Sequence, residues 1–167
     1  MATPSKLFSI CSVLMSCTFA YSAFVQLNDP DWYFWFPLYA FACVVNLLNR
    51  ATSPNAITGF AAKVALWLGT FLFIKVVVED VVSGIAGFCS LDLTERVVRE
   101  KIGSGLVIIS MILHLKASSL VQPRLPKHRK MNERFARLID IGMAVLLGFS
   151  CGLPFIFFVI QKGEIKL

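Results

Sequence analysis

VQLNDPDWYFWFPLYAF, Val25 to Phe41, sets an asparagine, two aspartates and a proline between two apolar runs. Upstream, Leu7 to Leu27 carries no charged residue, and downstream Tyr33 to Leu48 carries none either. A membrane helix needs about 20 mostly apolar residues. The first run meets that length. The second is short at its start, where Trp32, Tyr33 and Trp35 suit the aromatic belt of a lipid–water interface. The stretch therefore reads as the tight turn of a membrane-spanning helical hairpin.

Such a turn must satisfy the last carbonyls of one helix and the first amides of the next. Asn28 tolerates the left-handed conformation that ends a helix. Asp29 suits an N-cap, and Pro30 fits the first helical position, where its missing N–H had no partner. Asp31 then falls in the first turn, where the helix dipole favours a negative charge. Capping accounts for Asn28, Asp29 and Pro30 without any function. It does not account for Asp31, Trp35 and Tyr39, which recur at i, i+4 and i+8, with Asn46 seven further on. They make a polar-tipped stripe on one helix face, and Gln26 reaches the same end from the preceding helix. In lipid, polar side chains seek partners on other helices, so the stripe is expected to be an interhelical seam. Pro37 is expected to kink this helix or leave a carbonyl free.

Working outward, 57% of the 167 residues are hydrophobic and 15 are phenylalanine. Only 16% are charged, against about 25% in a soluble domain. Mean hydropathy is +0.73. These values point to one polytopic membrane domain. Three further spans follow: about 59–78 with Lys63 and Lys75 inside it, about 102–121 with His114 and Lys116, and about 138–160 with Asp140 and Pro154. With about 7–27 and 33–48, the expectation is an all-α transmembrane bundle of five spans joined by short loops. The first segment also has some features of a signal peptide, namely Lys6, an apolar core and small residues at Ala20, Ser22 and Ala23. Its apolar run is long for a leader, so retention of residues 1–23 is expected.

The net charge of +6 lies largely in one loop, residues 122–137, flanked by spans. That is the pattern of a cytosolic membrane loop rather than of a nucleic-acid surface. Arg124, Lys127, Arg129, Lys130, Arg134 and Arg137 are expected to attract anionic lipid headgroups, at about 1 kcal/mol per basic residue near the surface. Counting lysines and arginines in the short loops puts the N-terminus in the cytosol and the C-terminus on the opposite face. Most acidic residues then fall on that opposite face.

The five cysteines, at 11, 17, 43, 89 and 151, show no metal-ligand spacing. No G-x-S-x-G, H-E-x-x-H or P-loop is present. No cofactor is expected. His114 is the one histidine inside a span, a costly placement that makes it a candidate proton relay or, by preference, a hydrogen bond to a neighbouring helix. Lys75 and Glu79 form an i,i+4 pair near an interface, and Asp140 reads as a first-turn aspartate.

A second polar constellation is LDLTERVVREKIGSGLVII, Leu91 to Ile109. Asp92 and Glu95 have the spacing of a capping box. Glu95 and Arg99 are an i,i+4 pair, and Arg96, Arg99, Gly103, Ser110 and His114 fall roughly on one face. Gly103 and Gly105 permit close helix approach.

Gln26, Asn28, Asp29, Pro30, Asp31, Trp35 and Tyr39 together match Q-x-N-D-P-D-x-x-x-W-x-x-x-Y. Arg99, Glu100 and Gly103 match a later R-E-x-x-G that opens a span. In both, the chain resembles the transmembrane protein 220 family, small multi-span proteins of bacteria and animals, over about residues 7–119. The family commonly has acidic residues just before the R-E pair, where this chain has Val97 and Val98. The resemblance implies an architecture and a shared surface, not a reaction.

Three functions stay open. The first is a non-enzymatic subunit, assembly factor or lipid-contacting scaffold, with a protein partner or a homo-oligomer. The second is a small transporter or channel lined by Asp31, Tyr39, Lys75, His114 and Asp140. The third is a lipid-modifying enzyme or divalent-cation site built from Asp29, Asp31, Glu95 and Glu100. Arg99 is expected to neutralise those acids, with Asp31 reaching it across one membrane face. The observation that bears on all three is whether the Asn28–Asp31 turn and the Arg99–Gly103 helix start touch.

Overall fold

A computed structural model of the chain describes residues 5–51, 56–83, 95–121 and 129–164. Within them lie five α-helices: α1 (Lys6–Gln26), α2 (Trp32–Ala51), α3 (Ala56–Ser83), α4 (Arg96–Val121) and α5 (Arg129–Glu164). Four of these are long and apolar enough to cross a membrane: α1, α3, α4 and α5. The apolar part of α2, Trp32–Leu48, is shorter. At 1.5 Å per residue it covers about 25 Å, near the low end of what the roughly 30 Å hydrocarbon layer requires.

The helices are arranged by contacts between α1 and α2, α2 and α3, α3 and α4, α4 and α5, and α5 and α1. This closes a ring, and a further contact between α2 and α4 crosses it. Directions follow from which ends meet. Phe8, early in α1, packs edge-on against His114, late in α4. Asn46, late in α2, also meets His114. Lys75, late in α3, approaches Asp31 at the start of α2. So α2 and α4 run parallel, and α1 and α3 run against them.

The sequence pattern explains which faces turn inward. In α1 the buried residues Phe8, Cys11, Ser12, Met15, Ser16, Phe19 and Ala23 recur every three or four positions. Trp35, Leu38, Tyr39, Ala42 and Val45 do the same in α2. The opposite faces hold large exposed apolar side chains, including Trp67 (77% exposed), Phe60, Phe71, Tyr21 and Phe24. An exposed belt of this size is what lipid, rather than water, accommodates. The chain is a multi-pass membrane protein.

Several helix boundaries differ from the hydropathy windows. The helix α4 starts at Arg96, six residues before the predicted span, and α5 starts at Arg129, nine before. Hydropathy marks the part that crosses lipid, whereas backbone hydrogen bonding continues beyond it. The basic segment expected to be a loop over 122–137 is therefore helical from Arg129 onward, and Arg134 and Arg137 project from it exposed. Arg124 and Lys127 lie outside the described residues. Asp140 is correspondingly not in a first turn: it is the twelfth residue of α5 and half-buried. Pro37 lies within α2, which continues past it to Ala51.

Candidate functional site

The turn between α1 and α2 closes with tight i to i−3 bonds. Leu27 N–H donates to Phe24 O (3.2 Å), Asn28 N–H to Val25 O (3.4 Å) and Asp29 N–H to Gln26 O (3.0 Å). Leu27, in right-handed helical conformation, is the C-cap in place of the expected Asn28. The entry to α2 is also shifted from its expected register. Trp32 N–H donates to Asp29 O (3.2 Å) and α2 begins at Trp32. Asp29 and Pro30 thus belong to the turn, and Asp31 stands immediately before the helix rather than within its first turn. Its side chain accepts from Trp35 Nε1 at 3.2 Å, one helical turn on.

Asp31 is the point at which three helices meet. Arg96 Nη1 of α4 lies 3.4 Å from its Oδ1, and Lys75 Nζ of α3 lies 3.7 Å from its Oδ2. Arg96 also approaches Glu79 (3.7 Å) and, through Nε, Glu100 Oε1 (3.2 Å). Lys75 lies 3.8 Å from Glu79, as the i,i+4 spacing predicts. The expected Asp31–Arg99 contact is replaced by Asp31–Arg96. Arg96 sits 18 residues before His114, five full turns at 3.6 residues per turn, so the two share a face. Arg99 is rotated about 60° from that line and is exposed.

Beneath the charges lies an aromatic layer. Trp35 is fully buried and Tyr39 is 3% exposed. The Tyr39 ring stacks between Phe19 (centroids 6.4 Å apart) and Trp35 (6.3 Å). The Gln26 side chain lies beside the Tyr39 hydroxyl. Gly103 of α4 faces that hydroxyl so closely that an added Cβ would collide with it and stand 3.1 Å from Tyr39 Cζ. Gly105 has no such neighbour; an added Cβ there would meet Phe73 at an ordinary 3.9 Å. The two sequence motifs therefore join in space, through Asp31–Arg96 above and Tyr39–Gly103 below.

Glu100 is 1% exposed, and neither of its carboxylate oxygens accepts a hydrogen bond. The nearby Arg96 Nε is not aligned to donate one. The Gln26 Oε1 is likewise buried without a partner. The adjacent pair Asp80–Lys101 ties α3 to α4 at 2.6 Å, with Asp80 2% and Lys101 8% exposed. Sequence reasoning missed this pair. The available signal was an aspartate at the end of the third apolar run, where an ionisable group requires a partner.

The expected carboxylate cluster is only half assembled. Asp31 and Glu100 share Arg96, while Asp29 is half-buried in the turn and Glu95 is exposed where α4 begins. The backbone carbonyl of Glu95 accepts from Arg99 N–H (3.2 Å), so Glu95 precedes the helix instead of lying inside a capping box. Asp92 lies outside the described residues. Among the described residues, no three of His, Cys, Asp and Glu are placed to hold a metal ion.

His114 belongs to a second polar set near the other end of α2 and α4. Its Nε2 is 2.9 Å from Asn46 Oδ1. Asn46 Nδ2 donates to Ala42 O (2.8 Å) and to Ser110 Oγ (3.1 Å). All three side chains are buried. Between the two polar sets, Leu38, Ala42, Val45, Val107 and Met111 are fully buried and apolar.

A family model described as "Transmembrane family 220, helix" matches residues 18–116. The match takes in both motifs, the ion-paired cluster and the His114 set, and stops before α5. No solved structure matches the chain.

Proposed function

The chain belongs to transmembrane family 220, and we propose that it is a non-enzymatic membrane protein acting as a subunit, assembly factor or lipid-contacting scaffold. The observation that carries this reading is the convergence of both motifs on one interhelical seam. Asp31, Trp35, Tyr39 and Gly103 engage one another or their nearest helix neighbours. Residues arranged in this way hold helices in register, and the surface they present is a rim of Lys75, Glu79 and Arg96.

The transporter reading receives less support. Asp31 and Lys75 are paired at one end, His114 is engaged near the other, and apolar side chains fill the bundle between them. The enzyme or cation reading is weakened by the interleaving of carboxylates with Lys75 and Arg96, which pair with them.

In orientation, the charge bias favours a cytosolic N-terminus, with Arg124, Lys127, Arg129, Lys130, Arg134 and Arg137 near anionic headgroups. Glycosylation tags at each end test this: modification at the N-terminus alone would reverse it. The scaffold reading is tested by purification at native expression in mild detergent, with mass measurement of the complex. A stoichiometric partner, a defined homo-oligomer or retained lipid is expected. A strictly monomeric chain with none of these would overturn it.

A further inference from the structure

The cluster around Glu100 has unused hydrogen-bonding capacity of both signs. On the acceptor side are both oxygens of Glu100 and Gln26 Oε1, all buried and without hydrogen bonds. Glu79 carries its carboxylate 3.7 Å from Arg96 and 3.8 Å from Lys75, beyond hydrogen-bond length. On the donor side, Lys75 Nζ stands 3.7–3.8 Å from its two carboxylates. Polar groups held at such separations are commonly bridged by a third species. Among the described residues, three carboxylates, Asp31, Glu79 and Glu100, share the two cations Lys75 and Arg96. Asp80 and Lys101 neutralise each other beside them.

The chemistry that completes this set carries a cation with several N–H donors and, close to it, an anion. The rim is accessible, since the side chains of Lys75, Glu79 and Arg96 are each about a third exposed (39%, 33% and 34%). Exposed Trp32 and Tyr33 stand at the same end of α2. In a multi-pass protein, residues of this kind lie at headgroup level. A bare metal ion matches the acceptors but leaves Lys75 unanswered. A quaternary ammonium supplies charge but no N–H donor.

We propose that this rim, with Glu100 and Gln26 beneath it, binds the headgroup of a phospholipid bearing a primary ammonium. The ammonium is taken by Glu79 at the rim, with the carboxylate of Glu100 and the carboxamide of Gln26 beneath it, and the phosphate by Lys75. The inference rests on the lipid-contacting form of the scaffold reading and names its ligand.

The test uses the full chain in lipid nanodiscs. Phosphatidylethanolamine is compared with its N-methyl, N,N-dimethyl and N,N,N-trimethyl forms at identical acyl chains. Net charge and membrane thickness then change little while N–H donors fall from three to none. Lipid retained after detergent extraction is quantified by native mass spectrometry, and thermal stability is followed in each disc. Retention of the primary amine at least about tenfold greater than of the trimethyl form is expected, the equivalent of one charge-assisted hydrogen bond as a lower bound, with intermediate values between. Glu100→Gln and Glu79→Gln should remove the preference, and Glu95→Gln, at an exposed site, should keep it. If Glu100→Gln does not fold, the methylation series on the wild-type chain decides alone. Equal retention of all four lipids overturns the proposal. So does equal protection by soluble phosphoethanolamine, which would make the ligand a free amine. Indifference to the headgroup in a protein that still retains lipid or a partner sinks this inference and leaves the scaffold reading standing.

Discussion

Gly103→Ala is the sharpest perturbation the structure offers. The new methyl would collide with the Tyr39 hydroxyl and approach Cζ to 3.1 Å and Cε1 to 3.4 Å. Tyr39 has little freedom to retreat, being 3% exposed and stacked between Phe19 and Trp35. The strain must open the α2–α4 contact. Overpacking of this kind costs about 1–3 kcal/mol. Alanine recovers about 1 kcal/mol over glycine in helix propensity. A net loss of about 1–2 kcal/mol is therefore expected, because the constrained ring places the overpacking cost in the upper part of its range. Reversible unfolding in bicelles, followed by tryptophan fluorescence, measures it. Tyr39→Phe alone should cost about 1 kcal/mol or less, through loss of the hydroxyl's polar contact with Gln26. In the double variant, removing the hydroxyl relieves the collision, so its cost should fall short of the sum by at least about 0.5 kcal/mol. A Gly103→Ala chain as stable as wild type, or strictly additive costs, would refute the close approach.

The ion pairs give a second cycle. Asp31→Asn with Arg96→Gln should show a coupling of about 1 kcal/mol, at the top of the range for exposed pairs because Asp31 is only 14% exposed, whereas Asp31→Asn with Arg99→Gln should be additive. A larger coupling to Arg99 in the same unfolding assay would restore the contact the structure replaces. At the buried Asp80–Lys101 pair, Asp80→Ala should cost about 3–5 kcal/mol by breaking the pair, and Asp80→Leu with Lys101→Met should recover most of it; equal costs for the two variants would show that charge burial is not the cause. In the second polar set, Asn46→Leu removes the partner shared by Ser110 and His114 and should cost about 1–3 kcal/mol. Ser110→Ala, which leaves the Asn46–His114 bond in place, should cost less, and the reverse ranking would contradict the observed geometry.

The five-helix architecture was legible because each apolar run nears or exceeds membrane-spanning length and most charged residues fall between runs. Helix ends were less legible: Arg129–Arg137 reads as a loop only if loss of hydropathy is taken for loss of helix. Of the candidate surface, Gln26, Asp31, Trp35, Tyr39, Glu100 and Gly103 lie on the seam, whereas Asn28, Asp29 and Pro30 lie in the turn and Arg99 is exposed. The choice of Arg99 over Arg96 was a phase error, since a full account of the α4 face from His114 backward selects Arg96. Lys75 and Glu79 were visible as a pair, but their approach to Asp31 depends on how α3 packs, which no local spacing encodes. Asp80–Lys101 was hidden for the same reason.

The polar groups of α2 bear on why this short helix has one register. From Asp31 to Asn46 is 15 residues, about 22 Å of helix. Each end is matched to the parallel α4, by Arg96 at one and by Ser110 and His114 at the other. Between them the contacts are apolar, and lipid tails solvate apolar side chains about as well as a neighbouring helix does. Leu38 and Val45 therefore discriminate weakly between the native register and one displaced by a helical turn of 5.4 Å. The polar contacts discriminate strongly, because such a slip breaks both ends at once and drives a residue other than Gly103 against the Tyr39 hydroxyl. Interhelical hydrogen bonds in membranes contribute only about 0.6 kcal/mol each on average. Their weight here lies in the difference between registers: the native one satisfies them together, and a displaced one leaves buried Asn46, His114 and Asp31 without these partners.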